Sequence, residues 1–350
     1  MDGAELSRQV KQEGEFYTQV EFSGLDCRNL DFSGGIFNEV KFSDCDFSGA
    51  NLTETTFNKC SFSMVNIDSA NLKETNLVES DLSGSQFTNA NLNATKIIKS
   101  KLQNCNFDQS KIDSAVFSEC NCDRSIFTSV NLKSTVFNTC SLREVDFSSV
   151  LMESVIFNES IFEMNVFKSA ILKQSSFIKA NLSHTDFSRL DLSQCQLIEC
   201  DLSACNFSGA VLKQTGFMNA NLQSVKFDNA DLEMANLYET DLTSASFEKA
   251  NLSGASLQKA KIVTANMASA NMEMSMLSEA IIKQSIFSSV KMGYADLSHA
   301  VVEDCDFSNA LMDKANMHET LDISNLWNGS TRSEALGTDP KKLKSEQWGK

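Results

Sequence analysis

Every fifth residue from Tyr17 to Met317 is apolar, and the register does not slip once across those 61 positions. The column holds 24 Phe, 22 Leu, 6 Met, 5 Ile, 2 Cys, one Val and one Tyr, which leaves only Phe16 of the chain's 25 phenylalanines outside it. Two residues earlier runs a column of small residues. There 56 of 61 are Ala, Cys, Ser, Thr, Val or Gly, the exceptions being Glu15, Leu25, Leu30, Asn165 and Leu190. The other three positions are mostly polar, with Asn or Asp common just before the apolar residue. A period of five suits neither a 3.6-residue helix nor a simple alternating strand. It suits about three extended residues followed by a sharp turn. In extended backbone the small and large residues then point inward together, and their flanking neighbours point out. The residue two after the large one sits at a corner. Gly24, Gly34, Gly49, Gly84, Gly209 and Gly254 occupy that corner, which predicts a turn with positive φ.

Written out, the unit is Ala-(Asp/Asn)-Leu-x-x, as in Ala50-Asn51-Leu52 and Ala180-Asn181-Leu182. It resembles the pentapeptide-repeat family over residues 15–319. The resemblance implies an all-β fold, a right-handed quadrilateral β-helix with four pentapeptides per coil. A 20-residue period in the same sequence agrees with it. Phe fills ten of the eleven positions at 20-residue steps from Phe47 to Phe247, with Ile67 the exception, whereas Leu52, Leu72, Leu92, Ile112 and Leu132 form a separate column. About 15 coils at about 4.8 Å each make a solenoid of roughly 70 Å with one continuous core. Solenoid ends need caps. Residues 1–14, with Leu6 and Val10 at helical spacing, are the expected N-terminal cap. Residues 15–319 are the expected solenoid. Residues 320–350 form a C-terminal cap or tail, because Asp322 interrupts the apolar column. That tail gathers Leu321, Ile323, Leu326, Trp327, Leu336, Leu343 and Trp348, as a cap or as a surface for a homodimer.

Composition narrows the function. Lys plus Arg number 30 against 46 Asp plus Glu, a net charge of −16, which opposes direct binding to nucleic acid. No apolar run reaches the length of a membrane span, and the charged opening MDGAELSRQVKQEGEF lacks a secretory signal. All eleven cysteines fall in the two inward columns: Cys27 and Cys122 at the large position, the other nine at the small one. They read as reduced, buried, structural thiols, which fits a cytoplasmic protein. Cys195, Cys200 and Cys205 on successive sides are the thiols a metal would gather, but the expectation is no metal and no cofactor. His184, His299 and His318 lie on different coils without metal-ligand spacing, and neither a phosphate loop nor a dinucleotide fingerprint is present. No enzymatic activity is expected.

With a repetitive core, information lies where outward positions break pattern. Just before the large residue, eight of twelve sites between 116 and 171 are apolar: Val116, Ile126, Val136, Leu151, Ile156, Ile161, Val166 and Ile171. Folding the chain at 20 residues per coil puts Ile98, Val116, Val136, Ile156, Ile178, Ile198, Met218 and Tyr238 on one side, an apolar seam of roughly 34 Å. Contiguous exposed apolar surface marks interfaces. The middle of the chain is also its least acidic third, with residues 117–217 summing to −3. The leading expectation is a non-catalytic scaffold presenting long flat faces to a protein partner or to a second copy. The alternative is a DNA mimic directed at a type II topoisomerase, suggested by similarity to quinolone-resistance members of the family. The uninterrupted register lacks the projecting loops of several of those proteins. Delivery into a host cell as an effector is a third reading.

Overall fold

The computed structural model describes residues 1–347, so Trp348 lies outside the described residues. Its hydrogen-bonding rule is the same throughout. Each outward residue before a core side chain pairs in parallel with the residue 20 further on, as in Asp46 with Asn66, Val116 with Val136 and Asn251 with Asn271. Four pentapeptides therefore complete one coil. The core column is buried without exception from Phe22 to Met317. The chain divides into two compact units, Met1–Asn181 and the residues from Leu182 onward.

In the first unit the strands Ile36–Asn38, Thr56–Asn58, Asn76–Val78, Lys96–Ile98, Val116–Ser118, Val136–Asn138, Ile156–Asn158 and Ser176–Ile178 stack one coil apart. Their phenylalanines stack with them. Ring centroids of Phe117 and Phe137 are 4.7 Å apart, those of Phe137 and Phe157 5.0 Å, and those of Phe157 and Phe177 4.8 Å, which is the coil spacing itself. A short helix, α1 (Gly3–Arg8), is capped by Asp2, whose carboxylate accepts the Glu5 N–H at 2.9 Å. It continues as a π-helical turn, Gln9–Glu13. Leu6 and Val10 are buried, and the Ser7 hydroxyl donates to the Asp31 carbonyl at 2.7 Å. Gly3 lies so close to the first coil that a Cβ there would meet the Asp26 carbonyl oxygen at 2.0 Å. The helix is thus a lid over an otherwise open first coil.

In the second unit Lys261–Val263, Ile281–Lys283, Val301–Glu303 and Leu321–Ile323 form a parallel sheet of the same kind. Coiling continues past Asp322: Leu326 pairs with Asp306, and Leu336 with Asn316. Trp327 stacks on Phe307 with centroids 4.4 Å apart and ends the aromatic column. Arg332 covers the indole from outside, its guanidinium 5.4 Å from the ring centre. A second helix, α2 (Pro340–Gln347), begins at the chain's single proline, whose fixed φ and missing N–H suit a first helical position.

Local chemistry explains the repeat. Every non-glycine residue with a left-handed backbone, from Gln19 to Ser324, is a corner residue. The corner N–H donates to a carbonyl 19 residues on, as Glu54 does to Lys73 at 3.0 Å. That bond, repeated each coil, offsets part of the cost of left-handed φ, about 1–2 kcal/mol. The Asn or Asp before the core residue folds back as an Asx turn: Asp46 Oδ1 accepts the Ser48 N–H at 2.9 Å. The amides also reach from coil to coil, as from Asn91 Nδ2 to Asn71 Oδ1 at 2.9 Å.

Candidate functional site

The inward small position has its own chemistry. Thr75 Oγ1 donates to the Leu52 carbonyl at 2.7 Å, and Ser125 Oγ does the same to Leu102 at 2.6 Å. Cysteine substitutes for them: Cys105 Sγ lies 3.1 Å from the Leu82 carbonyl and Cys205 Sγ 3.0 Å from that of Leu182. All eleven cysteine side chains are buried. Burial pushes Cys60 up to about 11 and Cys105 and Cys205 up to about 12. Such thiols are poor nucleophiles and poor metal ligands. Cys195, Cys200 and Cys205 are not gathered within ligating reach among the described residues.

Five of the outward apolar residues of the first unit, Ile98, Val116, Val136, Ile156 and Ile178, fall into two adjacent columns on one side. Val116, Val136 and Ile156 stand directly over one another as paired residues on three successive strands. Lys96 precedes them in that column and Ser176 follows. Ile98 and Ile178 lie on the same strands but two residues along, in the column of Ser118, Asn138 and Asn158. That neighbouring column is an amide ladder, with Asn158 Nδ2 donating to Asn138 Oδ1 at 2.8 Å and Asn138 Nδ2 to Ser118 Oγ at 3.3 Å. Val116 and Val136 are half-buried and Ile156 is 40% exposed. The remaining apolar sites spread over the other three sides: Leu151 pairs with Ile171, Ile161 pairs with Asn181, and Ile126 is separated from Val166 by Asp146. In the second unit Ile198, Met218 and Tyr238 are half-buried, one coil apart, with Lys259 Nζ 5.6 Å from the centre of the Tyr238 ring. Leu321, Ile323 and Leu326 are exposed on the last coil, while Trp327 is engaged by Phe307 and Arg332.

Sequence spacing did not reveal one cluster. His299 and His318 sit 19 residues apart, one short of a coil, so a corner and an outward position meet with ring centroids 5.4 Å apart. Glu346 on α2 faces both, 3.4 Å from His299 Nε2 and 3.2 Å from His318 Nε2. The three ligating atoms lie within 4.8 Å of one another. His318 is buried, and its Nδ1 accepts the Asp339 N–H at 3.0 Å. The neutral ring therefore carries its proton on Nε2, the atom turned to Glu346. A metal-bound imidazole needs that lone pair and donates from its other nitrogen. The donor set does not fit a metal; it fits a hydrogen-bonded clasp on α2. Donation from His318 holds the Glu346 carboxyl below the usual glutamate range.

A family model described as "Pentapeptide repeat region" matches residues 35–117 and 170–242, and one described as "Pentapeptide repeats (8 copies)" matches residues 105–143, 235–273 and 291–320. None of the curated proteins compared matches the chain. Among solved structures, the chain is similar to HetL, a pentapeptide repeat protein involved in heterocyst differentiation regulation in the cyanobacterium Nostoc, at 18% identity and a TM-score of 0.30 over 89% of this chain and 97% of that one. It is similar to QnrB1, a plasmid-mediated fluoroquinolone resistance protein, at 20% identity and a TM-score of 0.36 over 60% of this chain and 92% of that one. A pentapeptide repeat protein of the Arabidopsis thaliana thylakoid lumen is 28% identical, with a TM-score of 0.14, over 31% of this chain and 66% of that one. Among the described residues no helix is long and apolar enough to cross a membrane.

Proposed function

The chain belongs to the pentapeptide-repeat family, and from that premise we propose that it is a non-catalytic scaffold whose flat outer side in the first unit docks a protein partner. The observation that carries this reading is the Val116–Val136–Ile156 ladder. Three β-branched side chains stand outward in register at a position that elsewhere holds mostly Asn, Asp or Lys. Beside them the Ser118–Asn138–Asn158 column supplies amide donors and acceptors. A flat apolar strip with a hydrogen-bonding margin is the usual anatomy of an interface core and its rim. Replacing Val136 and Ile156 with Asp leaves the inward columns untouched, so the fold is retained. The double variant should lose a partner recovered with the wild type in a pull-down, and any self-association seen by light scattering. Partner recovery and mass unchanged by both substitutions would refute the reading.

The DNA-mimic alternative draws on the net charge of −16. A duplex-like surface needs unbroken tracks of negative charge. Here cations alternate with acids from coil to coil, as in Lys59–Glu79, Lys99–Glu119, Arg124–Glu144 and Lys261–Asp241. We therefore place it second. A gyrase supercoiling assay with a quinolone tests it, and neither protection nor inhibition would dismiss it.

A further inference from the structure

We propose that the second unit carries a separate docking ridge, formed by Met234, Met274, Met276 and Tyr294, that receives a basic amphipathic helix. This surface is independent of the Val116–Val136–Ile156 ladder.

Met234, Gly254, Met274 and Tyr294 are corner residues at successive 20-residue steps, so they share one edge of the solenoid. Each is fixed by its backbone: Met234 N–H donates to the Ser253 carbonyl, Gly254 to Glu273 and Met274 to Gly293, all at 2.9 Å, and Tyr294 to Asp313 at 3.0 Å. Their φ angles run from 57° to 65°. Nothing in left-handed backbone favours a long thioether or a phenol, and other corners mostly carry Ser, Glu, Asn, Gln, Lys or Gly. Met234 is 58% exposed, Met274 66% and Tyr294 58%, with Met276 beside them at 39%. Isolated exposed methionines such as Met64 need no explanation, but Met234 and Met274 on alternate coils, with Met276 and Tyr294 next to the second of them, form a patch. Gly254 leaves a notch between Met234 and Met274. A Cβ there would meet only Met234 Cγ, at 3.5 Å. The notch is about 10 Å across from backbone to backbone, two coil spacings, and admits a leucine-sized side chain. Methionine's flexible, polarisable side chain adapts to such an insertion.

Charge identifies the occupant. At the Met234 end Lys213 neutralises Asp231 and Glu233, at 3.2 and 2.7 Å. Towards the other end Glu273, Asp296, Asp313 and Glu334 make no ion pair among the described residues. Lys314 there lies over the Tyr294 ring, 5.3 Å from its centre. The Asp313 and Glu334 carboxyls are hydrogen-bonded to each other, and that bond, together with the charge on Asp313, pushes the Glu334 carboxyl above the usual range. Two carboxylates in contact without a cation favour an incoming Lys or Arg. From Met234 to Tyr294 is three coils, about 14 Å, which an α-helix spans in about ten residues. Its i, i+3/i+4 and i+7 side chains recur at nearly the coil spacing, so they seat on Met234, in the notch, and against Met274 and Tyr294.

The test is fluorescence anisotropy of a labelled 14-residue Leu/Lys peptide with leucines at helical i, i+3/i+4, i+7 spacing, titrated with the full chain. A scrambled peptide of identical composition is the control, because an acidic protein attracts any cationic peptide. Saturable binding of the patterned peptide alone is expected. It should weaken at least tenfold in Met234→Gln/Met274→Gln and severalfold in Asp313→Asn/Glu334→Gln, and be unchanged in Val136→Asp/Ile156→Asp. Gln is a safe replacement because it already occupies this corner at Gln214; an unchanged thermal melt verifies the fold. No binding, equal binding of the scrambled peptide, or full affinity in the Met234→Gln/Met274→Gln variant would overturn the proposal.

Discussion

At the scale of single residues, the two inward columns do most of the folding. Each buried Phe or Leu contributes about 1.5–3 kcal/mol before entropy is deducted. The small column adds hydrogen bonds that composition alone does not announce. Ser, Thr and Cys are interchangeable there because each can point a donor at the same carbonyl, 23 residues back, as Thr75, Ser125 and Cys105 do. Asn165 is the misfit. Its Nδ2 reaches the Leu142 carbonyl, but its Oδ1 is buried without a partner. Leaving such an acceptor unmade costs about 1–3 kcal/mol. Replacing Asn165 with Ser should keep the donor to Leu142 and remove the orphan, raising stability by about 1–3 kcal/mol in urea unfolding. A loss of stability would show that the larger amide fills space the serine leaves empty. Sequence inspection does mark Asn165 as an exception in its column, but only the structure gives the reason it is costly.

At the scale of elements, the coils were predictable and the C-terminal helix was not. The five-residue period makes every strand and corner a local consequence of its own pentapeptide, so reading the repeat was enough to place them. α2 has no such period, and its attachment is polar: Asp339 N–H to His318, Glu346 to both histidines, and the Glu319 N–H to Thr338 Oγ1 at 3.2 Å. His299 and His318 looked scattered because a 19-residue spacing means contact only once the coil length is known and a third group arrives from elsewhere. Glu346 is held below the ordinary glutamate range. Its contribution to docking is therefore present above that range and fades as the pH falls through the lowered value. Glu346→Gln should free α2 at neutral pH, and trypsin should then cut at Lys341, Lys342 and Lys344 faster than in the wild type. Equal cleavage rates would mean that the helix is held by something other than the clasp.

At the scale of the whole molecule, the repetition that makes the core so readable hides the function. A catalytic centre is usually visible in sequence as an unusual set of residues at set spacings. A docking face on a repeat is visible only as a departure from the repeat's own rule, such as Val136 where Asn is usual or Met274 where Ser is usual. The departures at Val116, Val136 and Ile156 were legible in the sequence in that way. The Met234–Tyr294 ridge was not, because methionines 40 residues apart look unrelated until the 20-residue coil stacks their corners. Everything rests on the chain holding one five-residue register from Phe22 to Met317 with the large inward column, and every cysteine of the small one, buried. The eleven cysteines sample those columns from Cys27 to Cys305, so their accessibility tests the claim most directly. In native protein at pH 8, titration with a thiol reagent such as dithionitrobenzoate should label essentially none of them, and all eleven should react once guanidinium unfolds the chain. Prompt reaction of several thiols in the native state would contradict the account.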